Sequence, residues 1–300
     1  MLATKNWQSR HPQPDWVPDM EIPRPDGWSL TKHWLLATWR LSRKYWLFAL
    51  SSRYNVIPIL LSVLCMEVLA VIPARGGSQG IPRKNLKQVA GKSLLEHSIV
   101  HAHASKLVSR TIVSTEDDEI ATVALGLGAE VPFRRPIELA DHHVLDYPVF
   151  EHLLRELART EDYQPDIVVH LRPTAPLRKA GWIDAAINLL VDDTLADSVR
   201  SVSEPSMHPY RMFSIDSSGY LDPVMKHEHP EPYLLRRQDL PVIYYYNCVI
   251  DVTRPKTILE QKSMTGNKIL PFYMNPDEVF DVDSLRDLDV VRLFAETFHK

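Results

Sequence analysis

The sequence from residue 66 onward predicts an α/β fold built on an open, mostly parallel, doubly wound sheet. Short runs rich in β-branched residues alternate with segments of helical period, and this βαβ order is typical of parallel strands lying side by side. A stretch rich in Pro, His, Tyr and Arg, residues 203–245, interrupts the order and predicts a small arm. The predicted strands cover residues 68–72, 111–114, 167–171 and 198–202.

The segments between these strands are predicted to be helices that pack on both faces of the sheet. Each carries apolar residues at intervals of three and four, so that one face can be buried. These faces comprise Leu94, Leu95, Ile99 and Val100; Val149, Leu153, Leu154 and Leu157; and Ile183, Ala186, Ile187 and Leu190. A chain of 300 residues is long enough for one sizeable core or two unequal domains.

Charge is distributed unevenly along the chain. Residues 1–65 contain eight Lys or Arg and four acidic residues, whereas the remainder contains 26 basic and 34 acidic residues, a formal charge of −8. An acidic globular part argues against a nucleic-acid partner. The two cysteines, Cys65 and Cys248, lack the spacing of a disulfide framework or a zinc site, which favours a reducing, cytoplasmic compartment.

Residues 1–65 form a separate Trp-rich, basic extension, which contains six of the seven tryptophans. Its longest apolar run, residues 56–65, is much shorter than the roughly 18–20 residues of a membrane span. A signal peptide also fits poorly, because the run comes late and no cleavage site of small residues follows. Two interpretations stay open: a basic interfacial helix over residues 34–53 that associates with a membrane, or an extension of unknown role upstream of a natural start at Met66.

A basic, glycine-rich loop, residues 73–85, follows the first predicted strand. Its glycines permit positive φ and a close approach of backbone N–H groups to an anion. Arg75, Arg83 and Lys84 can offset the charge of a polyphosphate. Two other phosphate motifs are excluded by spacing: Gly91-Lys92-Ser93 resembles the end of a P-loop, but Leu86 stands where that motif requires a glycine, and a GxGxxG dinucleotide motif is absent. We therefore interpret residues 73–85 as a triphosphate-binding loop.

This loop, IPARGGSQGIPRKN at residues 72–85, resembles the signature of the acylneuraminate (CMP-sialic acid synthetase-like) cytidylyltransferase family. Further segments similar to that family follow in the same order along the chain, so the resemblance covers roughly residues 67–300. They are STEDDEIA at 114–121, RPIELA at 135–140, LRPTAPLR at 171–178, RRQ at 236–238, YNCVIDV at 246–252 and DVDS at 281–284.

The resemblance implies a nucleotide-diphospho-sugar transferase, or Rossmann-like, fold. It also implies attack by a hydroxyl of an acidic, sialic-type sugar on the α-phosphate of CTP, with Mg²⁺ as cofactor and pyrophosphate as the second product. Relatives are homodimers whose arms reach into the neighbouring site. We therefore expect residues 203–245 to form the dimer interface.

The expected nucleotide site combines the loop with one more distant residue. We expect Arg75 and Lys84 on the phosphate oxygens, Asn85 bracing the loop, and Arg135 near the nucleotide, as the resemblance implies. Arg75, Lys84 and Asp281 are the expected catalytic residues, and no general base is assigned. The complete nucleotide-binding set is Ala74, Arg75, Gly76, Gly77, Ser78, Gln79, Gly80, Lys84, Asn85 and Arg135.

Asp281 and Asp283 are the candidate metal ligands, because Mg²⁺ takes one or two carboxylates together with phosphate oxygens. Placed at a strand end, the two side chains of Asp-x-Asp point the same way. The family also places metal ligands at these positions. The alternative is that one of them, or Ser284, caps the helix that follows.

The expected sugar site includes the segment after the third predicted strand, since open α/β sheets bind ligands at the carboxyl ends of strands. Arginine's planar fork suits a carboxylate. The candidates are Arg172, Thr174, Arg211, Arg237, Gln238 and Asn247. The family often has Gln at position 172, Ser at position 175 and Gly at position 248. Arg172, Ala175 and Cys248 therefore leave the sugar's identity open.

Two further groups of polar residues receive a different interpretation. The acidic run at 115–118 fits a helix N-cap with an acidic first turn better than a metal site. The histidine pairs at 101 and 103, 142 and 143, and 227 and 229 have no cysteine at zinc spacing, and we expect no histidine metal site there.

Gln79 departs from the lysine that the family usually has at this loop position. Arg83 is one residue that could supply the missing charge. Two alternatives to a CTP-dependent enzyme therefore stay open. One is the same chemistry with another sugar, such as a Kdo-like acid, or another nucleotide, such as GTP; the other is a catalytically silent scaffold that binds nucleotide or sugar.

Overall fold

The computed structural model describes residues 66–298. The expectations for residues 1–65 lie outside this part. Six strands form the main sheet of the described residues, in the order β10-β6-β9-β5-β1-β4. Their bounds are β1 Val68–Pro73, β4 Arg110–Ser114, β5 Ile167–His170, β6 Ser198–Ser203, β9 Tyr245–Thr253 and β10 Ile269–Tyr273.

The sheet is mixed but mostly parallel, which confirms the predicted fold class. Strand β1 runs parallel to β4 and β5, and β6 runs parallel to β10. Strand β9 lies between β5 and β6 and is antiparallel to both. The four predicted strands are present, each within one residue of its predicted ends, whereas β9 and β10 were not predicted.

Helices cover both faces of this sheet. Strand β1 alternates between two apolar clusters, since Val68, Ala70 and Ile72 belong to one and Leu69 and Val71 to the other. The first cluster includes residues of α1, α2 and α4, and the second includes residues of α3 and α5. The helices are α1 Leu94–Ala104, α2 Asp118–Gly126, α3 Asp146–Glu161, α4 Trp182–Asp192, α5 Pro255–Leu259 and α6 Leu285–Phe298.

The parallel strands bring three loops to one edge of the sheet. The phosphate loop follows β1, the acidic run 115–118 follows β4, and the segment that begins at Leu171 follows β5. Because carboxyl ends of parallel strands share an edge, these three segments become neighbours although they are distant in sequence.

The C-terminal helix closes this edge against the phosphate loop. Ile81 of the loop and Val282 are fully buried in a third apolar cluster, together with Leu288 and Val291 of α6. This packing places the Asp281-to-Asp283 segment beside the loop.

The segment 203–245, the predicted arm, has little regular structure. It contains one short antiparallel hairpin, β7 Phe213–Ile215 with β8 Leu221–Pro223, and several turns of 3-10 helix. A second small hairpin, β2 Gln88–Val89 with β3 Lys92–Ser93, lies between the phosphate loop and α1. In the part of the chain that the structure describes, no helix combines the length and apolarity that crossing a bilayer requires.

Candidate active site

The phosphate loop is fixed at both ends by hydrogen bonds to the main chain. The amide of Ala74 donates to the carbonyl of Ser114 at 3.0 Å, which continues the β1–β4 pairing. The side-chain amide of Asn85 is buried and donates to the carbonyl of Arg75 at 2.9 Å. Asn85 therefore closes the loop on itself, in the bracing role expected from the sequence.

The acidic run after β4 braces the loop from a second side. The amide of Gly76 donates to Glu116 at 2.7 Å, so this N–H has a partner within the protein. Arg83 is held by ion pairs with Asp117 and Glu119, and it does not line the cleft. Arg83 therefore does not supply the charge that Gln79 lacks, contrary to the possibility considered from the sequence.

Asp117 also caps helix α2, as the acidic run predicted. Its carboxylate accepts the amide of Ile120 at 2.9 Å, and Asp118 and Glu119 occupy the first helical turn. The hydrogen bonds from Arg83 hold the pKa of Asp117 below its usual value. The acidic run thus supports both the loop and the start of the helix.

Two of the loop glycines, Gly76 and Gly80, are needed because neighbouring residues approach their backbone closely, and none of the three loop glycines is needed for a positive φ. None of Gly76, Gly77 and Gly80 has a φ in the left-handed region, whereas Arg83 does, at 56°. A Cβ on Gly76 would lie 2.4 Å from the carboxylate of Asp117, and a Cβ on Gly80 would lie 2.8 Å from the carbonyl of Asp283. A Cβ on Gly77 would meet nothing within 4 Å.

A cleft of about 360 Å³ opens between the phosphate loop, the segment after β5 and the start of α3. Its walls contain the cations Arg75, Lys84, Arg135 and Arg172. Five more of the predicted site residues lie here as well: Ser78, Gln79, Gly80, Asn85 and Thr174. The metal candidate Asp283 stands at the edge of the same cleft.

Arg135 is a buried cation without a carboxylate partner among the described residues. Its guanidinium donates to the hydroxyl of Ser114 at 3.1 Å and to the Ser114 carbonyl at 2.5 Å. Burial lowers the pKa of Arg135 to about 10, so it stays charged at neutral pH. Glu116 and Asp146 act on this charge without forming a direct ion pair in the described part of the chain. A desolvated charge of this kind beside a cleft is suited to an anionic ligand.

Arg75 and Lys84 are less strongly compensated than Arg83. Arg75 donates to the backbone carbonyl of Asp141 at 3.1 Å. Because this acceptor is neutral, the bond does not offset the positive charge of Arg75. The ammonium of Lys84 donates to the Val282 carbonyl and to the carboxylate of Asp283, each at 3.1 Å. These two side chains lie at the ends of the loop and point toward the same opening.

Asp281 and Asp283 are exposed on either side of the buried Val282. They lie in an extended loop rather than at a strand end, but the alternation still turns both carboxylates outward. The helix cap is made by other residues: Ser284 accepts the amide of Asp287 at 3.2 Å, and Asp287 accepts the amide of Ser284 at 2.7 Å. Capping therefore does not explain the two aspartates.

The electrostatics of this pair favour a bound cation. Partial desolvation raises the pKa of Asp281, and the neighbouring charge of Asp283 raises it further, although a hydrogen bond from Thr174 opposes the shift. A divalent ion relieves repulsion between two adjacent carboxylates. Two oxygen ligands with open space before them fit Mg²⁺, which keeps several waters and takes phosphate oxygens.

Arg172 is held by three side chains on the floor of the cleft. Its guanidinium donates to Asp146 at 2.7 Å, to Asp251 at 2.7 Å and to the hydroxyl of Tyr246 at 2.9 Å. Burial lowers its pKa, but Asp251, Tyr246 and Asp146 raise it above the usual value, so the guanidinium is firmly charged. Arg172 reaches the cleft, as predicted, but as part of a charge cluster.

Sequence patterns did not identify the partners of Arg172. Asp146 begins α3, and Asp251 lies on β9, 79 positions beyond Arg172. His170 is buried below them, and neither of its ring nitrogens has a hydrogen-bond partner in the described part of the chain. A charged residue inside an otherwise apolar strand, such as Asp251 in 249–252, was the available signal.

The segment after β5 is rigid because its backbone is also bound. Arg178 is buried and donates to the carbonyls of Arg172, Ala175 and Val249 at 2.6, 2.8 and 2.8 Å. Thr174 accepts the amide of Val282 at 2.9 Å through its carbonyl. The floor of the cleft is thereby joined directly to the metal candidates.

Four predicted sugar-binding residues lie outside the cleft lining in this chain. Arg211 donates to the carbonyl of Leu235 within the arm, and Arg237 pairs with Glu204 at 3.3 Å. Gln238 is exposed on the arm. Asn247 is buried and donates to the hydroxyl of Ser203 at 2.9 Å. The structure therefore does not bring these four residues together with Arg172 and Thr174.

Cys248 occupies a backbone position that favours glycine. Its φ is 61°, in the left-handed region, where the register of β9 against β6 shifts. Glycine adopts this backbone conformation without strain, which explains why the family that the sequence resembles often has glycine at position 248. The thiol is half-buried and does not line the cleft.

One group of possible metal ligands lies at the mouth of the cleft. Asp141, His142 and His143 bring their ligand atoms within 4.8 Å of one another, and all three are exposed. Among the described residues, this is the group in which three such side chains meet. The amide of His143 donates to Asp141 at 2.9 Å, so the cluster is a surface turn.

Comparison with known proteins agrees with the geometry of the cleft. A sequence profile of the family described as cytidylyltransferase matches residues 69–262. CMP-N,N'-diacetyllegionaminic acid synthase of Legionella pneumophila is 36% identical over 227 residues, 73% of this chain and 92% of that protein. The N-acylneuraminate cytidylyltransferase of Streptococcus agalactiae is 30% identical over 224 residues, 74% of this chain and 52% of that longer protein.

A solved structure shows the same fold. CMP:2-keto-3-deoxy-manno-octonic acid synthetase in complex with CTP superposes with a TM-score of 0.57 at 18% identity. The match covers 77% of this chain and 99% of the other. At this identity the likeness concerns the fold alone.

Proposed function

The chain belongs to the cytidylyltransferase family, and on that premise we propose that it transfers CMP from CTP to a nonulosonic-type sugar acid and releases pyrophosphate. The observation that carries the proposal is the cleft itself. It joins a glycine-rich loop, the cations Arg75, Lys84 and Arg135, and the carboxylate of Asp283, which Asp281 precedes by two positions. Such a set is suited to binding a polyphosphate with a metal ion.

The cations contact the nucleotide from different sides of the cleft. Arg75 and Lys84 contact the phosphate oxygens from the two ends of the loop, and Arg135 adds a buried positive charge. The amides of Gly77 to Gly80 approach the triphosphate, while Gly76 keeps its bond to Glu116. Reaction occurs when a sugar hydroxyl attacks the α-phosphate and pyrophosphate leaves. These side chains stabilise the charge that develops in that step.

Asp281 and Asp283 would hold Mg²⁺, which when bound orients the triphosphate and offsets charge on the α-phosphate and the leaving pyrophosphate. Lys84 pairs with Asp283 in the protein alone. Binding of the metal–nucleotide complex exchanges this pair for contacts between Lys84 and phosphate. The proton of the sugar hydroxyl has no assigned acceptor.

The sugar acid is proposed from the floor of the cleft and from the relatives. Arg172 and Thr174 lie where a sugar beside the α-phosphate would rest. The names of the relatives give diacetyllegionaminic acid and N-acylneuraminate as their products or substrates. Both are acidic nine-carbon sugars, and this chemistry supports the sugar-acid class for this chain.

We also propose a homodimer formed through the arm at 203–245. The arm exposes large apolar side chains that a second copy could cover. Arg211, Arg237 and Gln238 lie on this arm and away from the cleft of their own chain. In a dimer they would serve the partner's cleft.

A pyrophosphate-release assay with each of the four ribonucleotides, Mg²⁺ and a panel of sugar acids tests the function. We expect release with CTP and a nonulosonic-type acid, and none after chelation of the metal. A preference for GTP, or for a Kdo-like acid, would support the alternative in which the same chemistry uses another nucleotide or another sugar. If no combination of nucleotide and sugar acid releases pyrophosphate, the result would favour a catalytically silent scaffold.

Asp283→Asn provides the metal test that does not depend on turnover. We expect Mn²⁺ binding with CTP, followed by electron paramagnetic resonance, to weaken about tenfold or more when one of two carboxylates is lost. Asp289→Asn is the matched control, since Asp289 is exposed on α6 and pairs with Arg292 away from the cleft. Equal binding by both variants would contradict the site.

A further inference from the structure

We propose that Asp141, His142 and His143 form a second metal site, which binds a divalent transition-metal ion such as Zn²⁺ at the mouth of the cleft. The site is separate from the carboxylates of Asp281 and Asp283, and its occupation is a property beyond the proposed reaction. Within residues 66–298, three side chains able to ligate a metal meet in this group, with all three ligand atoms inside 4.8 Å of one another.

The ligand types at this turn differ from those of the magnesium candidates. Two imidazoles and one carboxylate suit zinc and its first-row neighbours, whereas Mg²⁺ prefers oxygen ligands alone. Sequence spacing argues against a histidine metal site because no cysteine accompanies His142 and His143. Zinc also accepts carboxylates, and Asp141 directly precedes the histidine pair. The turn therefore supplies a third ligand without a cysteine.

The ligand atoms lie close to the separations that a metal ion requires. Zinc–ligand bonds of about 2.0–2.2 Å in a tetrahedral site place two ligand atoms roughly 3.4 Å apart. The Nδ1 of His142 lies 3.3 Å from a carboxylate oxygen of Asp141. The ring centroids of His142 and His143 are 3.7 Å apart, and the rings are tilted by 41°. Rotation of exposed side chains is therefore enough to complete the site.

The backbone holds these consecutive residues in a turn, so that side chains which would diverge on a strand meet. The carbonyl of Asp141 accepts the amide of Val144 at 3.2 Å, and its carboxylate accepts the amide of His143 at 2.9 Å. Arg75 donates to the same carbonyl at 3.1 Å, which ties the turn to the phosphate loop. Because the turn is already formed, metal binding orders little additional backbone.

The carboxylate of Asp141 is accessible to a cation. Arg75 contacts the backbone carbonyl of Asp141, and in the described part of the chain it forms no ion pair with the carboxylate. The side chains of Asp141 and His142 are 54% and 41% exposed, so an ion enters from solvent without displacing protein.

The position of the turn places an ion beside the entrance for the nucleotide, since Asp141 and His142 also line the cleft. Three protein ligands leave at least one coordination position for water or an anion, as in zinc sites that are not closed by four protein ligands.

Calorimetric titration of the full chain with Zn²⁺ tests the site. Nucleotide is left out and Mg²⁺ is present in excess, so the measurement does not depend on the proposed reaction. We expect one Zn²⁺ per chain at this site, which Mg²⁺ does not displace because imidazole is a poor ligand for it. The double variant Asp281→Asn, Asp283→Asn should bind this Zn²⁺ as the wild type does.

Three single variants each remove one ligand. His142→Gln and His143→Gln remove an imidazole, and Asp141→Asn removes the charge while keeping an oxygen that can accept the amide of His143. We expect each to weaken Zn²⁺ binding at least about tenfold, since loss of a residue that merely orients a metal ligand already costs roughly 10- to 100-fold. His229→Gln is the matched control, because His229 is exposed in another histidine pair, outside the three-ligand group.

The outcomes distinguish this site from the magnesium candidates and from unspecific binding to histidines. Absence of Zn²⁺ binding by the wild type, or full binding by the three single variants, would overturn the site. Equal weakening in His229→Gln would also overturn it, as would loss of binding in the Asp281→Asn, Asp283→Asn variant. The expected pattern supports the site even if the chain releases no pyrophosphate.

Discussion

Individual side chains in the phosphate loop have unequal roles, although the sequence presents them as one basic, glycine-rich run. Arg83 is committed to Asp117 and Glu119, and Asn85 to the loop backbone. Arg75, Lys84 and the exposed Gln79 line the opening. Motif spacing gives the residue types, but the carboxylates that neutralise one arginine and not another come from elsewhere in the chain.

Gln79→Lys is expected to raise turnover or CTP affinity about tenfold, because it adds a charge-assisted hydrogen bond to phosphate at the cleft wall. Steady-state kinetics of pyrophosphate release measure the effect. Gln88→Lys adds the same charge on β2, outside the cleft lining, and should change little. A lower rate for Gln79→Lys would show that the site has been rebuilt around glutamine.

Gly80→Ala and Gly77→Ala are a matched pair of substitutions that tests the close approach of Asp283 to Gly80. The new Cβ at position 80 meets the Asp283 carbonyl at 2.8 Å, so the segment of the metal candidates must move. We expect the free energy of unfolding to fall by about 1–3 kcal/mol, the range seen for overpacking. At position 77 the Cβ meets nothing, and the change should be near zero or slightly stabilising. Urea denaturation measures the free energy of unfolding of both variants. Equal losses of this free energy would contradict the close contact between Gly80 and Asp283.

Among the elements, helix α1 carries one buried and one partly buried histidine that its apolar pattern does not explain. His97 is buried and binds the carbonyl of Val89 at 2.8 Å, and the buried Nδ1 atom of His101 has no hydrogen-bond partner among the described residues. Burial, together with nearby Arg178 and His97, lowers the pKa of His101 to about 3. A neutral imidazole is therefore a condition of this packing.

The stability of the domain should fall in acid because of His101. Its pKa is lower in the folded state than in the unfolded chain, so below about pH 6.5 the unfolded state binds the extra proton. The contribution is complete above that pH and is lost as the pH falls toward about 3. Each pH unit in this window removes up to about 1.4 kcal/mol of unfolding free energy.

Replacing the titrating group measures this effect directly. His101→Leu should flatten the pH dependence of the unfolding free energy between these limits. His103→Leu is the control, since His103 is exposed on the same helix. Denaturant unfolding at several pH values reports the difference, and parallel curves for wild type and His101→Leu would exclude the mechanism.

At the scale of the whole molecule, the arm is one surface of the described residues that exposes large apolar side chains. Ile215, Tyr220, Leu221 and Val224 lie on or beside its hairpin and are 59–73% exposed. Its predicted sugar-binding residues do not reach the cleft of their own chain. A second copy would explain both facts.

Leu221→Asp should therefore convert a dimer to a monomer and reduce turnover by at least about tenfold, if the partner's arm completes the cleft. Ser217→Asp places the same charge at the exposed hairpin turn and should leave the dimer intact. Light scattering after size-exclusion chromatography gives the mass, and a chain of residues 66–300 should behave as the full chain does. A fully active monomer would contradict the shared site.

The sequence by itself determined the fold class, four of the six strands of the main sheet and the position of the phosphate loop. These features depend on local information: the period of apolar residues, the glycines and the order of short motifs. It also supplied Asp281 and Asp283, because an Asp-x-Asp before a helix is visible in a few residues. Family membership confirmed the type of enzyme that the motifs indicated.

Only the tertiary structure decided which charges are free. Asp146, Arg172 and Asp251 become one cluster although 26 and 79 positions separate the carboxylates from the arginine. Their pairing depends on β9 lying beside β5 and on α3 beginning above it, which no local pattern specifies. The physical reason is that a side chain's charge is set by what surrounds it in space, and burial strengthens each such interaction.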